Sequence, residues 1–166
     1  RSIAAKVAER LLPMVRKGGT VAVLGLSYKP FSHVTEESQG IYIAQHLSKH
    51  GLRVVAFDPM SNEMALEDIR RNIVVLDSVK ECLSQAEAVL ITTPDPAFKK
   101  LTAADFKNDW SQVLVVDFWR LLREQFENEP GIKYLGIGLS ENDAVNSARL
   151  KELWWGQPAD SLKTGK

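Results

Sequence analysis

Short apolar runs ended by Gly, Asp-Pro or polar clusters alternate along the chain with stretches whose apolar residues recur every three or four positions. Ile3, Val7, Leu11 and Leu12, followed by Met14 and Val15, have helical spacing before the breaker Gly18-Gly19, and Pro13 predicts that this helix bends or ends early. Thr20-Val21-Ala22-Val23-Leu24-Gly25 is a β-branched run closed by glycine, the pattern of a buried strand. Ile41, Ala44 and Leu47, with Ile43 beside them, predict an amphipathic helix over 39–50, with Gly51 at its C′ position. A second strand runs from Arg53 to Phe57 and stops at Asp58-Pro59. The same alternation predicts strands at 72–76, 88–92, 113–117 and 133–137. Between them it predicts helices from Ser78 through Leu83, near 95–101 and 102–108, and over 119–127. Strands and helices alternating at this pitch require crossover connections. The expected fold class is therefore α/β, a Rossmann-like three-layer sandwich around a mostly parallel sheet of about six strands. From Ser140 onward, Ala144, Ala148, Leu150, Leu153, Trp154 and Trp155 predict a docked helix, with a frayed terminus from about Gly156.

Composition narrows the function classes. At 166 residues, 45% of them apolar, the chain can bury one substantial core. Lys plus Arg equals Asp plus Glu at 21 each, so there is no basic excess of the kind that nucleic acids or anionic membranes require. The single cysteine, Cys82, excludes an internal disulfide and a thiolate metal cluster. No apolar run approaches the roughly 20 residues of a bilayer span and no signal-peptide pattern opens the chain, so a cytoplasmic location is expected. The sequence starts inside a helical pattern without Met, which suggests a piece of a longer protein.

In a doubly wound sheet, ligands bind beyond the carboxyl ends of the strands, where helix N-termini and loops converge. That directs attention to the loop after the first strand. The dinucleotide fingerprint G-x-G-x-x-G is missing there: Gly25 is followed by Leu26-Ser27-Tyr28-Lys29-Pro30, with no further glycine to admit a pyrophosphate against the backbone. Lys29, fixed at its base by Pro30, is a point charge suited to a phosphate oxygen. Tyr28 has two open roles, stacking on a base or sugar and packing in the core. Ser38 could cap the next helix and donate to a ligand.

Several stretches carry a resemblance to the UDP-glucose/GDP-mannose dehydrogenase family. Gly25 to Pro30 resembles the family's G-L-[AS]-[FY]-K-P run. Glu37-Ser38 matches the end of its polar T-D-D-x-R-E-S stretch, and Phe57-Asp58-Pro59 its [YF]-D-P. Ala88 to Thr93, Val115-Val116-Asp117 with Leu121-Leu122, and Tyr134-Leu135-Gly136-Ile137-Gly138 follow in family order, so the resemblance covers roughly residues 1–138. It implies that residues 1–17 end an inter-domain connecting helix, that 18–139 form a nucleotide-sugar-binding domain, and that 140–166 form a C-terminal helix and tail. It further implies a substrate such as UDP-glucose, held by Tyr28, Lys29, Ser38 and Arg120. NAD would be the cofactor of the whole enzyme and would have no site in this piece. The partners implied are the NAD-binding and central domains and, in the assembled enzyme, a second subunit in a homodimer.

Two positions depart from the family pattern. Glu36 stands where R-E-S has its arginine, and Trp119 stands where D-G-R-N has a phosphate-binding arginine, leaving Arg120 one position later as its substitute. Two functions are therefore carried forward: the nucleotide-binding part of an NAD-dependent nucleotide-sugar 6-dehydrogenase, inactive alone, and a divergent nucleotide-binding or subunit-interaction module that has lost this substrate. The other chemically suggestive residues have structural readings. Cys82 lies on an apolar helix face and is expected in the core, and Asp58-Pro59 reads as a strand-ending turn. Glu36 and Glu37 are expected in a helix's first turn, His46 and His50 as exposed helix histidines, and Trp154 and Trp155 as packing for the tail. His33, in the candidate loop, is a possible ligand contact.

Overall fold

The structure, a computed structural model, describes residues 2–60, 72–106 and 110–138. Its elements follow the alternation: α1 (Ser2–Leu11), β1 (Thr20–Leu24), α2 (Gln39–Lys49), β2 (Arg53–Phe57), β3 (Val74–Val75), α3 (Val79–Gln85), β4 (Ala88–Ile91), α4 (Pro96–Lys99), β5 (Val113–Asp117), α5 (Arg123–Phe126) and β6 (Ile132–Gly136). The six strands form one sheet in the order β3-β2-β1-β4-β5-β6, and every pairing is parallel. Chain order reverses between β1 and β4, so this is the switch point of the sheet. Pro13 ends α1 at Leu11, and a 3-10 turn follows over Leu12–Met14.

The period of two along each strand divides the core into two layers. Val21, Val23, Val54, Ala56, Leu90, Leu114 and Val116 pack beneath Ala4, Ala8 and Leu11 of α1 and Ile41, Ala44 and Leu47 of α2. Ala22, Leu24, Val55, Val89, Ile91, Val113 and Val115 face the other way, onto Cys82 and Leu83 of α3, Phe98 of α4, Phe106 and Phe126. Strands buried on both faces in this manner need the continuous apolar runs that the sequence contains.

Some boundaries differ from those expected. The strand expected at 72–76 pairs only at Val74 and Val75, because it is an edge strand resting on Val55 and Ala56 alone. The helix expected over 119–127 is reduced to Arg123–Phe126: Asp117, at the end of β5, binds the N–H groups of Trp119 and Leu122, and Arg120 has φ 57°, so the chain turns before it coils. The stretch near 102–108 holds a 3-10 turn over Ala103–Phe106, and positions 107–109 lie outside the described residues. The expected C-terminal helix, including Trp154 and Trp155, also lies outside them.

Candidate functional site

The carboxyl ends of β1, β4 and β5 meet in one tightly braced region. Leaving β1, the chain turns at Gly25 with φ 106°, and a β-carbon there would lie 2.2 Å from Thr93 Oγ1. Glycine satisfies both demands at once. The N-terminal turn of α2 then returns to this place: a β-carbon on Gly40 would lie 2.2 Å from the Gly25 carbonyl oxygen. Thr92 Oγ1 donates to that carbonyl at 2.6 Å, so β1, α2 and β4 are tied to one another around Gly25.

Asp58 fixes the next part of the loop. One carboxylate oxygen, Oδ2, accepts from the N–H groups of Leu26 at 2.6 Å and Ser27 at 2.7 Å, while Oδ1 accepts from Met60 at 2.8 Å. Asp58 is therefore more than a strand-ending turn: it crosses from β2 to orient the loop after β1. Its carboxylate is also engaged by these amides, and α2 begins only at Gln39, so the loop after β1 has neither a free strand-end acid nor a glycine-rich strand-to-helix turn of the kind that seats NAD. These residues do not fit that cofactor.

The loop itself is closed by Tyr28, whose N–H donates to the Val34 carbonyl at 2.7 Å. Phe31 at its tip has φ 58°. Tyr28 is 62% exposed, so it does not pack in the core, and Lys29 is exposed beside it. His33 is exposed and its Nδ1 bonds to the Met60 carbonyl, which ties this loop to the one after β2. Ser38 is the N-cap of α2: it is buried and its Oγ accepts from the Ile41 N–H at 3.4 Å. Glu36 and Glu37 precede this cap rather than occupying the first turn, and Glu37 has φ 59°. Their helix-dipole role is thus replaced by a place on the exposed loop rim.

After β5, Asp117 repeats the device of Asp58. Completely buried, it accepts from the N–H groups of Trp119 at 3.0 Å and Leu122 at 2.9 Å, and from the Tyr134 hydroxyl at 3.1 Å. Burial, and then the neighbouring Asp117 carboxylate, push the Tyr134 phenol above its ordinary range. Trp119 and Arg120 part in opposite directions from this turn. Trp119 Nε1 donates to the Thr92 carbonyl at 2.9 Å, on the β4 side, whereas Arg120 Nη1 lies 3.9 Å from the place of a β-carbon on Gly138, on the β6 side. Tyr28, Lys29, Ser38 and Arg120 therefore share the carboxyl end of the sheet, with Trp119 placed between Arg120 and the switch point. Nothing in the sequence marks Asp58, Thr92 and Asp117 as the residues that build this region. Their partners are remote in sequence, and the nearest local signal was the Asp-Pro after β2.

The remaining candidates lie apart from this region. Cys82 is buried on α3, and burial, followed by the nearby Glu81 charge, pushes its thiol up to about 12. His46 is half-buried rather than exposed, and its ring stacks on that of His50 with centroids 4.4 Å apart. A cleft of about 270 Å³ opens at the amino end of the sheet, between Arg16, Glu87, Trp110 and Lys133. Its Arg16 is already bound to Glu87 Oε2 at 2.8 Å and stacked 4.1 Å from the Trp110 ring centre. Among the described residues, no helix is long and apolar enough to cross a membrane.

Residues 22–124 match the profile of the UDP-glucose/GDP-mannose dehydrogenase family, UDP binding domain. The chain is 31% identical over 126 residues to a UDP-glucose 6-dehydrogenase of Rickettsia bellii and 30% identical over 125 residues to one of Rhizobium meliloti. Each alignment covers 74% of this chain and 28% of the relative. A UDP-glucose dehydrogenase structure from the hyperthermophilic archaeon Pyrobaculum islandicum superposes with a TM-score of 0.63 at 30% identity, over 82% of this chain and 29% of that one. The chain thus spans little more than a quarter of the length of these relatives, and the matched residues 22–124 include the loops after β1, β2, β4 and β5. It belongs to the UDP-glucose/GDP-mannose dehydrogenase family, whose UDP binding domain it matches.

Proposed function

We propose that the carboxyl-end region binds the diphosphate of a UDP-sugar, and that the chain acts as the nucleotide-positioning part of an NAD-dependent nucleotide-sugar 6-dehydrogenase. The observation that carries this reading is the exposed Lys29 on a loop whose base is braced by Asp58 and whose first residue, Gly25, packs against Gly40 in the capped N-terminal turn of α2. A cation on a fixed loop, close to the positive end of a helix, is suited to an anionic group. Tyr28 offers its exposed ring to the base or sugar, Ser38, buried as the cap, fixes the first turn of α2 beneath the ligand, and Arg120 closes the β6 side. Residues 1–17 are the end of a connecting helix, 18–139 the binding domain, and 140–166 the C-terminal extension. Neither a cofactor finger nor an accessible thiol lies in the described part, so hydride transfer belongs to other domains of a longer cytoplasmic enzyme that works as a homodimer, with NAD bound there.

The test is calorimetric titration of UDP and UDP-glucose into the chain and two variants. Lys29→Ala removes a charge-assisted contact and should weaken binding by about 1.5–3 kcal/mol, roughly ten- to a hundredfold. Glu36→Arg replaces an acid on the loop rim by a cation and should tighten binding, and both effects should shrink as salt rises. Equal affinities in all three proteins would show that the loop does not carry the site. Absence of binding at millimolar ligand would favour the alternative, a module that has kept the fold and lost this substrate.

A further inference from the structure

The geometry points to Trp119 as a stacking platform for the nucleobase of the bound nucleotide, a specificity residue in place of a cation. The inference rests on the UDP-sugar reading of the same site. Trp119 is 54% exposed, yet it is held at two points: its backbone N–H donates to the buried Asp117 carboxylate, and its indole N–H donates to the Thr92 carbonyl. The only polar group of the side chain is thereby consumed within the protein. What remains exposed is aromatic surface, whose exposure to water is unfavourable until something covers it.

Its place decides what covers it. The indole leans from the end of β5 onto the end of β4, and Thr92 is the residue whose hydroxyl binds the Gly25 carbonyl at the end of β1. The ring is thus pinned at the switch point of the sheet, one hydrogen-bonded residue away from Gly25, where the loop that carries Tyr28 and Lys29 begins, while Arg120 is turned toward Gly138. An indole cannot neutralise a phosphate, but every base has a π-face that can stack on it. The division of labour follows: Lys29 meets the diphosphate, and Trp119 meets the planar ring at one end of it. Trp110, the other described tryptophan, has no such opportunity, because it lies at the opposite end of the sheet under Arg16.

Calorimetry on the 166-residue chain separates the two contacts, with UDP and inorganic pyrophosphate as probes and with Trp119→Phe, Trp119→Leu and Lys29→Ala as variants. Both tryptophan variants lose the indole hydrogen bond, and only phenylalanine keeps an aromatic face. Trp119→Leu should weaken UDP about tenfold or more, with little dependence on salt, and leave pyrophosphate unchanged. Trp119→Phe should stay within about threefold of wild type for UDP. Equal UDP affinities in the phenylalanine and leucine variants would overturn the platform, as would a pyrophosphate loss in Trp119→Leu matching its UDP loss, since both show an indole that merely supports the loops. If Lys29→Ala weakens both ligands while Trp119→Leu affects neither, the stacking inference fails and the UDP-sugar reading stands. If wild type binds neither ligand, that reading fails and the inference fails with it.

Discussion

Removal of the Asp58 carboxylate should loosen the loop after β1 and destabilise the domain by an amount that the hydrogen bonds allow to be worked out. Three N–H groups, from Leu26, Ser27 and Met60, converge on this side chain, which is only 7% exposed. An unpaired buried amide costs about 1–3 kcal/mol, and hydrogen bonds to a charged acceptor lie at the upper end of the usual scale. Water can relieve the Met60 contact, which is only partly buried. Asp58→Ala should therefore cost about 3–4 kcal/mol, a large share of the 5–15 kcal/mol typical of a whole domain. Asp58→Asn is the more discriminating variant. Its carbonyl oxygen can still accept from Leu26 and Ser27, but its NH2 group then faces the Met60 N–H, donor against donor, so a loss of about 1–2 kcal/mol is expected. Urea unfolding of the three proteins reads these values from the midpoints, and unchanged slopes would show that the unfolded state is not the cause. UDP titrated into folded Asp58→Asn should bind more weakly than into wild type, since the loop that presents Lys29 has lost its anchor. An alanine variant within about 0.5 kcal/mol of wild type would refute the argument that Asp58 holds this loop.

Tyr134→Phe removes the hydroxyl that donates to Asp117 at 3.1 Å and should lower stability by about 1 kcal/mol in the same assay. Because the Tyr134 pKa is raised in the folded state, its contribution is fully present below the unfolded value of 10.0 and is lost as pH rises above it. The variant should therefore show a shallower loss of stability above pH 10 than wild type; parallel curves would rule out this linkage. Cys82, with its thiol pushed up to about 12, exposes at pH 8 only about one thiolate in ten thousand even before access is considered. Labelling by a thiol reagent should be slow in the native protein and fast in denaturant, and rapid native labelling would contradict the buried placement.

The sheet was legible because its evidence is local. Continuous apolar runs at Val21 to Leu24, Ala88 to Ile91 and Val113 to Val116 announce strands covered on both faces, and the helical spacing of Ile41, Ala44 and Leu47 announces the covering layer. The site was legible only to the level of its loops. Lys29 and Ser38 are conspicuous in sequence, but the reason that Lys29 has a fixed base is an aspartate about thirty residues away, and no periodicity reports such a pairing. Helix spacing likewise overestimated the element after β5, since a side chain that captures two amides competes with the helix for the same N–H groups.

The two buried aspartates also explain what kind of anion site this fold can offer. In a glycine-fingered dinucleotide fold, the amides that follow β1 face the pyrophosphate and a strand-end acid takes the ribose. Here the corresponding amides of Leu26 and Ser27 point to Asp58, so they are occupied before any ligand arrives, and the amides of Trp119 and Leu122 are likewise committed to Asp117. Each carboxylate also places negative charge beneath a loop of the candidate site. Recognition of a diphosphate must then come from side chains projecting beyond those loops and from the first turn of α2. On the proposed function, Lys29 is consequently more important here than a lysine beside a free glycine-rich turn, where backbone amides share the task. The same commitment withdraws the Trp119 and Leu122 amides of the turn after β5 from any phosphate, which makes it a place where an aromatic residue such as Trp119 is compatible with the proposed nucleotide binding and a base is its natural partner.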